Sequence, residues 1–321
     1  MSALTLADVY RARQRIEGRA LVTPLVHSLS LSRLAGVPVH LKLETLQPTG
    51  SFKLRGATNA LAQISEQGCT RVVTASTGNH GRAVAHAARA LGIEAAVCMS
   101  SLVPKNKVDA VAALGARVVI EGKSQDDAQR EAQRLVREEG YAFVPPFDDE
   151  RVIAGQATIG LEILEALPDT ESIVVPLSGG GLFSGIAFAA KNIRADVKLI
   201  GVSMQRGAAM HASLAAGKPV FVDELETLAD SLGGGIGLDN RHTFSMTRDL
   251  IDDIVLLDEV SIARGIVHAY REERLVVEGA AAVGIAALLD GAIAVQNGPI
   301  VIVVSGSNID IETHRRLIGA A

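Results

Sequence analysis

The chain of 321 residues has no tryptophan, and aromatic residues make up 3% of it. Without interleaved aromatics there is no stacking platform for single-stranded nucleic acid. There is no block of basic charge either, and the formal net charge is -5. That balance argues against nucleic acid or an anionic membrane surface as the main partner. Cysteine is scarce, with Cys69 and Cys98 alone present. One disulfide is arithmetically possible; two reduced thiols, buried or partly buried, are the expected state. His80, His211 and His242 lack metal-ligand spacing, no Cys/His cluster exists, and no metal site is expected. A Gly-x-Ser-x-Gly nucleophile elbow is missing. No apolar run is long enough to span a bilayer, and Met1–Asp8 shows neither the basic nor the apolar region of a signal peptide. The expectation is a soluble, cytoplasmic protein. Repeats, low-complexity tracts and Pro/Ser-rich linkers are absent.

What is present suits a large buried core: hydrophobic residues make up 48% and charged residues 21%. Short Val/Ile-rich runs alternate with helical patterns. Strands are expected at Val39–Glu44, Arg71–Thr74, Ile93–Met99, Ala116–Ile120, Ser172–Leu177, Val197–Val202, Asp253–Leu257 and Pro299–Val304. Helices are expected at Ser51–Gln63, Asn79–Leu91, Pro104–Leu114, Ser124–Glu138, Gln156–Leu167, Leu182–Ala190, Val260–Arg271 and Glu278–Leu289. Alternation of this kind predicts an α/β fold with twisted, mostly parallel sheets covered by helices. The units from about residue 70 to the loop signal Pro145-Pro146-Phe147-Asp148-Asp149 form one βα block. This predicts a small domain at 63–148 and a large one from 1–62 with 149–321, with a ligand cleft between them.

Four loops could carry chemistry. Pro48-Thr49-Gly50-Ser51-Phe52-Lys53 places a lysine at the start of a helix behind a turn. An amine near apolar neighbours can lose its proton and form a Schiff base, although a helix-face lysine with its head in water has the same sequence. Ser76-Thr77-Gly78-Asn79-His80-Gly81 follows a strand and opens a helix. It offers N–H and O–H donors to a carboxylate, or is simply a turn with Asn79 as N-cap. Ser178-Gly179-Gly180-Gly181-Leu182 follows a clear strand and could close bare backbone around a phosphate. A nicotinamide-dinucleotide reading of this loop is weak, because no acidic residue ends the next strand, Leu199–Ser203. Ser305-Gly306-Ser307-Asn308 ends the last strand, where Ser305 could bond a ring nitrogen. A Schiff-base lysine together with a phosphate cradle is what pyridoxal 5′-phosphate requires.

On these motifs the chain resembles the fold-type II pyridoxal-phosphate enzymes (the tryptophan synthase β-like fold), and within them the serine/threonine dehydratase and serine racemase family. The likeness covers nearly the whole chain. Supporting segments are Pro146–Asp149 with Ile153–Gln156, Thr227–Asp230, and Glu278-Gly279-Ala280. The resemblance implies that Lys53 carries the cofactor and moves the Cα proton. It implies that Ser178, Gly179, Gly180, Gly181 and Leu182 hold the phosphate, Asn79 reaches the ring hydroxyl, and Ser305 faces the ring nitrogen. Glu278 joins the cofactor-binding set. Ser76, Thr77, Gly78 and His80 would surround the substrate carboxylate. A small amino acid would be the partner, and a homodimer the assembly.

Two departures from the family pattern matter. The racemase-like branch has two carboxylates just past the strand ending at Val202, where this chain has Ser203, Gly207 and Ala209. A hard-cation site there is not expected. Racemases also use a serine base on the far ring face, and the matching residue here is Thr77. The expected activity is therefore β-elimination, converting a β-hydroxy-α-amino acid to a 2-oxo acid and ammonia. A serine-type racemase is the alternative. A nicotinamide-dependent oxidoreductase and a non-catalytic binding protein are weaker rivals. Leu6–Arg13, Gly201–Met204 and Gly233–His242 look like the hydroxyectoine-utilisation dehydratases. In that case Arg241 would meet a distal acidic or acylamino group of the substrate.

Overall fold

The computed structural model describes residues 4–76, 78–103, 105–295 and 297–319. In chain order its elements are α1 (Leu6–Ile16), β1 (Leu25–His27), α2 (Leu29–Ala35), β2 (Val39–Leu43), α3 (Lys53–Glu66), β3 (Arg71–Ala75), α4 (Asn79–Leu91) and β4 (Glu94–Met99). There follow α5 (Lys105–Ala112), β5 (Arg117–Ile120), α6 (Gln125–Glu139), β6 (Ala142–Phe143), α7 (Glu150–Ala166), β7 (Ser172–Pro176), α8 (Gly181–Ile193) and β8 (Lys198–Met204). The chain ends with α9 (Ala209–Ala216), α10 (Thr243–Leu250), β9 (Asp253–Leu257), α11 (Glu259–Arg271), α12 (Gly279–Leu289), β10 (Ile300–Val304) and α13 (Ile311–Gly319).

Two sheets result. The larger has the order β1-β2-β10-β7-β8-β9, and the smaller β5-β4-β3-β6. Every pairing is parallel except β1 with β2. Parallel strands covered on both faces read as continuous apolar runs, and β7 and β10 are buried at every position. The pleat divides their side chains. Ile173, Val175, Val301 and Val303 pack with α7 and α8, whereas Val174, Ile302 and Val304 pack with α12. In the small sheet, α3 and α4 cover one face and α6 the other. No helix among the described residues is long and apolar enough to cross a membrane.

The expected alternation is present, with differences at its margins. β1 adds an antiparallel edge strand that the apolar runs did not announce. α7 begins six residues before the expected Gln156, because Asp149 accepts the Arg151 N–H and caps it there. α1, α2, α9, α10 and α13 were not assigned from the sequence. Pro104, expected to open a helix, lies outside the described residues. Cys69 and Cys98 are free thiols, the second one buried.

α3 crosses α7 at a contact between two glycines. A Cβ on Gly155 would lie 2.6 Å from the Arg55 carbonyl oxygen and 2.6 Å from the Gly56 Cα. Backbone cannot yield there as a flexible side chain can. Gly155→Ala should therefore push α3 off α7 and destabilise the protein by about 1–3 kcal/mol. Urea unfolding of the variant beside the wild type measures this; an unchanged midpoint would contradict the packing argument.

Candidate active site

The carboxyl ends of parallel strands leave room for loops and ligands. Here the ends of β2, β3, β6, β7 and β10 lead into the segments picked out by sequence. Lys53 is the first residue of α3. The Phe52 N–H donates to the Ser305 carbonyl at 3.0 Å, and Ser51 forms a bridge with Gly306. The loop after β10 thus fastens the turn that delivers the lysine. Lys53 Nζ donates to the Pro146 carbonyl at 2.7 Å and lies 5.2 Å from the Phe52 ring centroid. Burial lowers its pKa to about 8, against the opposing pull of Glu278. This fits an amine that exchanges a proton near neutral pH.

Glu278 is buried at the start of α12, and burial pushes its carboxyl up to about 7. Asn79 Nδ2 donates to Glu278 Oε1 at 2.8 Å. Asn79 is the first residue of α4, and Gly78 occupies the N-cap position. The N-cap alternative for Asn79 is therefore corrected: its amide turns across to the other sheet. There Asn308 Nδ2 donates to Asn79 Oδ1 at 2.6 Å and to the Thr49 carbonyl at 2.9 Å, and Arg82 Nη1 donates to Asn308 Oδ1 at 2.8 Å. Arg82 and Asn308 were not given roles from the sequence. The signal for Asn308 was its place in the Ser305–Asn308 loop; Arg82 reads as an ordinary helix residue.

His80 is buried, and its Nε2 pairs with the Val144 carbonyl at 3.0 Å. Burial and the nearby Lys53 charge lower its pKa to about 3. The ring is neutral, Nε2–H donates, and Nδ1 is left as a buried acceptor without a partner. A cationic contact to a carboxylate is not available from it. Ser76 and Gly78 are half-buried beside it, with the Gly78 N–H 3.4 Å from Ser76 Oγ. Thr77 lies outside the described residues.

Ser178, Gly179 and Gly180 lead into α8, which opens at Gly181 and Leu182. Gly180 has φ 87° and provides no side-chain cap. The first N–H groups of such a helix have no intrahelical partner and favour an anion. A Cβ on Gly179 would meet the Phe147 ring at 2.5 Å, and one on Gly180 would meet Met210 at 2.8 Å. Ser305 is buried at the end of β10. Arg241 is exposed, on a segment whose backbone is held by Asp148: the Arg241 N–H donates to its Oδ2 at 2.7 Å. Lys53, Asn79, His80, Glu278 and Ser305 are thus linked around one place. The glycine loop reaches it through Phe147, and the Arg241 side chain makes no hydrogen bond or ion pair with these residues.

Beneath Lys53 lies a group of buried charges not singled out from the sequence. Arg55 donates to Glu44 from Nε and Nη2, both at 2.8 Å, and to Glu162 from Nη1 at 2.5 Å and Nη2 at 2.8 Å. Lys42 Nζ donates to Glu162 Oε2 at 2.5 Å and to the Thr23 carbonyl at 2.7 Å. Burial opposes the Arg55 charge, but the two carboxylates hold its pKa above the ordinary value. Burial lowers the Lys42 amine. Two cations face two anions, so the group is formally neutral.

The chain is similar to known proteins along nearly its whole length. Residues 16–306 match the family model "Pyridoxal-phosphate dependent enzyme". A provisionally named threonine dehydratase of Sinorhizobium fredii is 56% identical over 99% of this chain and 96% of its own length. An L-threonine ammonia-lyase of Thermotoga maritima is 42% identical, covering 98% of this chain and 78% of its own. The solved structure of maize serine racemase superposes with a TM-score of 0.92 at 32% identity, over 99% of this chain and 98% of that one.

The buried charges give a direct test of the frame. Arg55→Met leaves Glu44 and Glu162 facing Lys42 alone, an uncompensated buried charge that should cost about 3–5 kcal/mol. Chemical denaturation measures it, and a loss below about 1 kcal/mol, the scale of an exposed pair, would show that water reaches the group.

Proposed function

This chain belongs to the pyridoxal-phosphate dependent enzymes and is a threonine/serine dehydratase-like ammonia-lyase, and we propose that its substrate is a β-hydroxy-α-amino acid longer and more polar than serine or threonine. The observation that carries the site assignment is Lys53: a half-buried amine with pKa about 8 at the start of α3. The surrounding residues fit the cofactor. An uncapped helix start with a left-handed glycine suits the phosphate, and Ser51 Oγ and His80 Nδ1 are buried polar atoms without partners beside Lys53.

Bound pyridoxal phosphate supplies the electron sink that lets the Cα–H bond of an amino acid break. The chain supplies the rest. Lys53 Nζ takes the Cα proton, and burial keeps enough of the amine unprotonated near neutral pH to do so. The start of α4, with Ser76 and Gly78 and with Thr77 between them, receives the substrate carboxylate on N–H and O–H donors. His80 braces that turn from the Val144 carbonyl. Asn79 and Glu278 would hold the hydroxyl side of the ring, and Ser305 its nitrogen. Ser305 is neutral and would not hold a proton on that nitrogen as a carboxylate would. The net reaction yields a 2-oxo acid and ammonia, with water lost and regained. Arg241 selects the distal polar group, consistent with a role in hydroxyectoine breakdown. The small unit, 63–148, closes over the cleft; the working form is a cytoplasmic homodimer.

Serine racemisation is the second reading, favoured by the likeness to maize serine racemase. Thr77, in place of a serine base, and the residues Ser203, Gly207 and Ala209, in place of carboxylates, speak for elimination instead.

Measurements on Lys53 and on metal dependence test this. Lys53→Ala should abolish both the visible absorbance of the loaded protein and 2-oxo acid release. In the apoprotein, acylation of Lys53 should rise with pH through about 8 rather than 10.5, since the free amine is the reactive form. Borohydride fixation of the cofactor on Lys42, Lys105 or Lys107 would sink the assignment. Secondly, elimination should survive exhaustive treatment with EDTA; a loss restored by magnesium or calcium would contradict the reading of Ser203 and Ala209.

A further inference from the structure

Three consecutive residues of the strap between β6 and α7 reach three parts of the site. The Pro146 carbonyl accepts from Lys53 Nζ, Phe147 lies against Gly179 and Gly181, and Asp148 points to the segment before α10. Asp148 Oδ2 accepts the Arg241 N–H at 2.7 Å, and its Oδ1 accepts those of His242 and Thr243, both at 2.9 Å. We propose that Asp148 is a positioning residue for substrate choice: it holds the 239–243 segment at the rim of the cleft and so sets where Arg241 stands. This rests on the ammonia-lyase reading of the site.

The physical case begins with α10. His242 occupies its N-cap position without making a side-chain cap, so the N–H groups there need an acceptor from elsewhere. A carboxylate at that end also meets the positive end of the helix dipole. Asn240 braces the turn from within, accepting from Phe244 and donating to the Ile236 carbonyl. Asp148 ties it from outside. Upstream, Gly234 and Gly237 have φ of 91° and 81°, conformations that add no side-chain restraint to the segment. Downstream, Thr243 and Thr247 pack on Gly180, so a shift of α10 reaches the glycine loop. Arg241 itself is exposed, and its guanidinium makes no ion pair among the described residues. A cation fixed by its backbone rather than by a counter-ion is available to a distal carboxylate or acylamino group.

The test uses the loaded enzyme and three readouts. Hydrogen exchange over 239–250 should be faster in Asp148→Ala than in the wild type, with Asp148→Asn between them, since one amide oxygen remains to accept. With threo-3-hydroxyaspartate, N4-acetyl-2,4-diamino-3-hydroxybutyrate, L-serine and L-threonine as probes, KM should rise about tenfold or more for the best polar substrate, the scale of one lost hydrogen bond to a charged group. The ratio of kcat/KM for that substrate to that for serine should fall correspondingly. Arg241→Ala should do the same, and the double variant should be no worse than either alone. If Asp148→Ala does not fold, Asp148→Asn carries the comparison. Unchanged exchange, multiplicative losses in the double variant, or equal losses on every substrate would overturn the role of Asp148. A wild type that prefers threonine over both polar probes would instead overturn the substrate reading, while the exchange data would still judge whether Asp148 holds the segment.

Discussion

Arg55 lies two residues beyond Lys53, and its guanidinium spans Glu44 from the end of β2 and Glu162 from α7. Lys42 completes the group from β2. None of these charges reaches water, so each tolerates its burial only through the others. The geometry is therefore all-or-none, and it joins one strand and two helices at fixed distances. α3 has no side-chain cap at its start. Its first turn is held by this fork, by the close Gly56–Gly155 contact with α7, and by the bonds from Ser51 and Phe52 to the β10 loop. The amine of Lys53 takes its place from that frame.

Around the amine, the large sheet supplies Ser305, Glu278 and the glycine loop, and the small sheet supplies Asn79 and His80. The two are sewn together by side-chain amides, from Asn79 to Glu278 and from Asn308 to Asn79. The environment acts differently on each ionisable group. Burial brings the Lys53 amine down and the Glu278 carboxyl up, toward each other near neutral pH, while it removes the His80 charge altogether. Pairs of groups whose pKa values are drawn toward neutrality are what proton transfer at ordinary pH needs. His80 serves as a neutral strut rather than as a charge.

Much of this was legible in the chain. The positions of most core strands follow from runs of Val and Ile that only a doubly covered parallel sheet explains. The opening of α8 in the glycine run follows from local turn chemistry, as does a helix beginning near Lys53, expected two residues earlier at Ser51. Where sequence reading fell short, the cause was contact from afar. Asn79 has the composition of an N-cap and the position of a first-turn residue, and its amide is taken by partners some 200 residues away in sequence. Arg55 reads as a polar helix residue, because its two carboxylates come from 44 and 162. The segment before α10 carries no pattern that reveals Asp148 as its anchor.

The sequence by itself determined the alternation of strands and helices, the parallel sheets and the four loops placed to carry chemistry, because apolar periodicity and turn residues act over a few neighbours at a time. Only the tertiary structure decided which polar groups satisfy one another. Once water is excluded, a charge or an amide must find its partner wherever the fold brings one, and sequence distance carries no weight in that choice. The frame beneath Lys53, the neutral state of His80 and the hold of Asp148 on α10 were settled in that way.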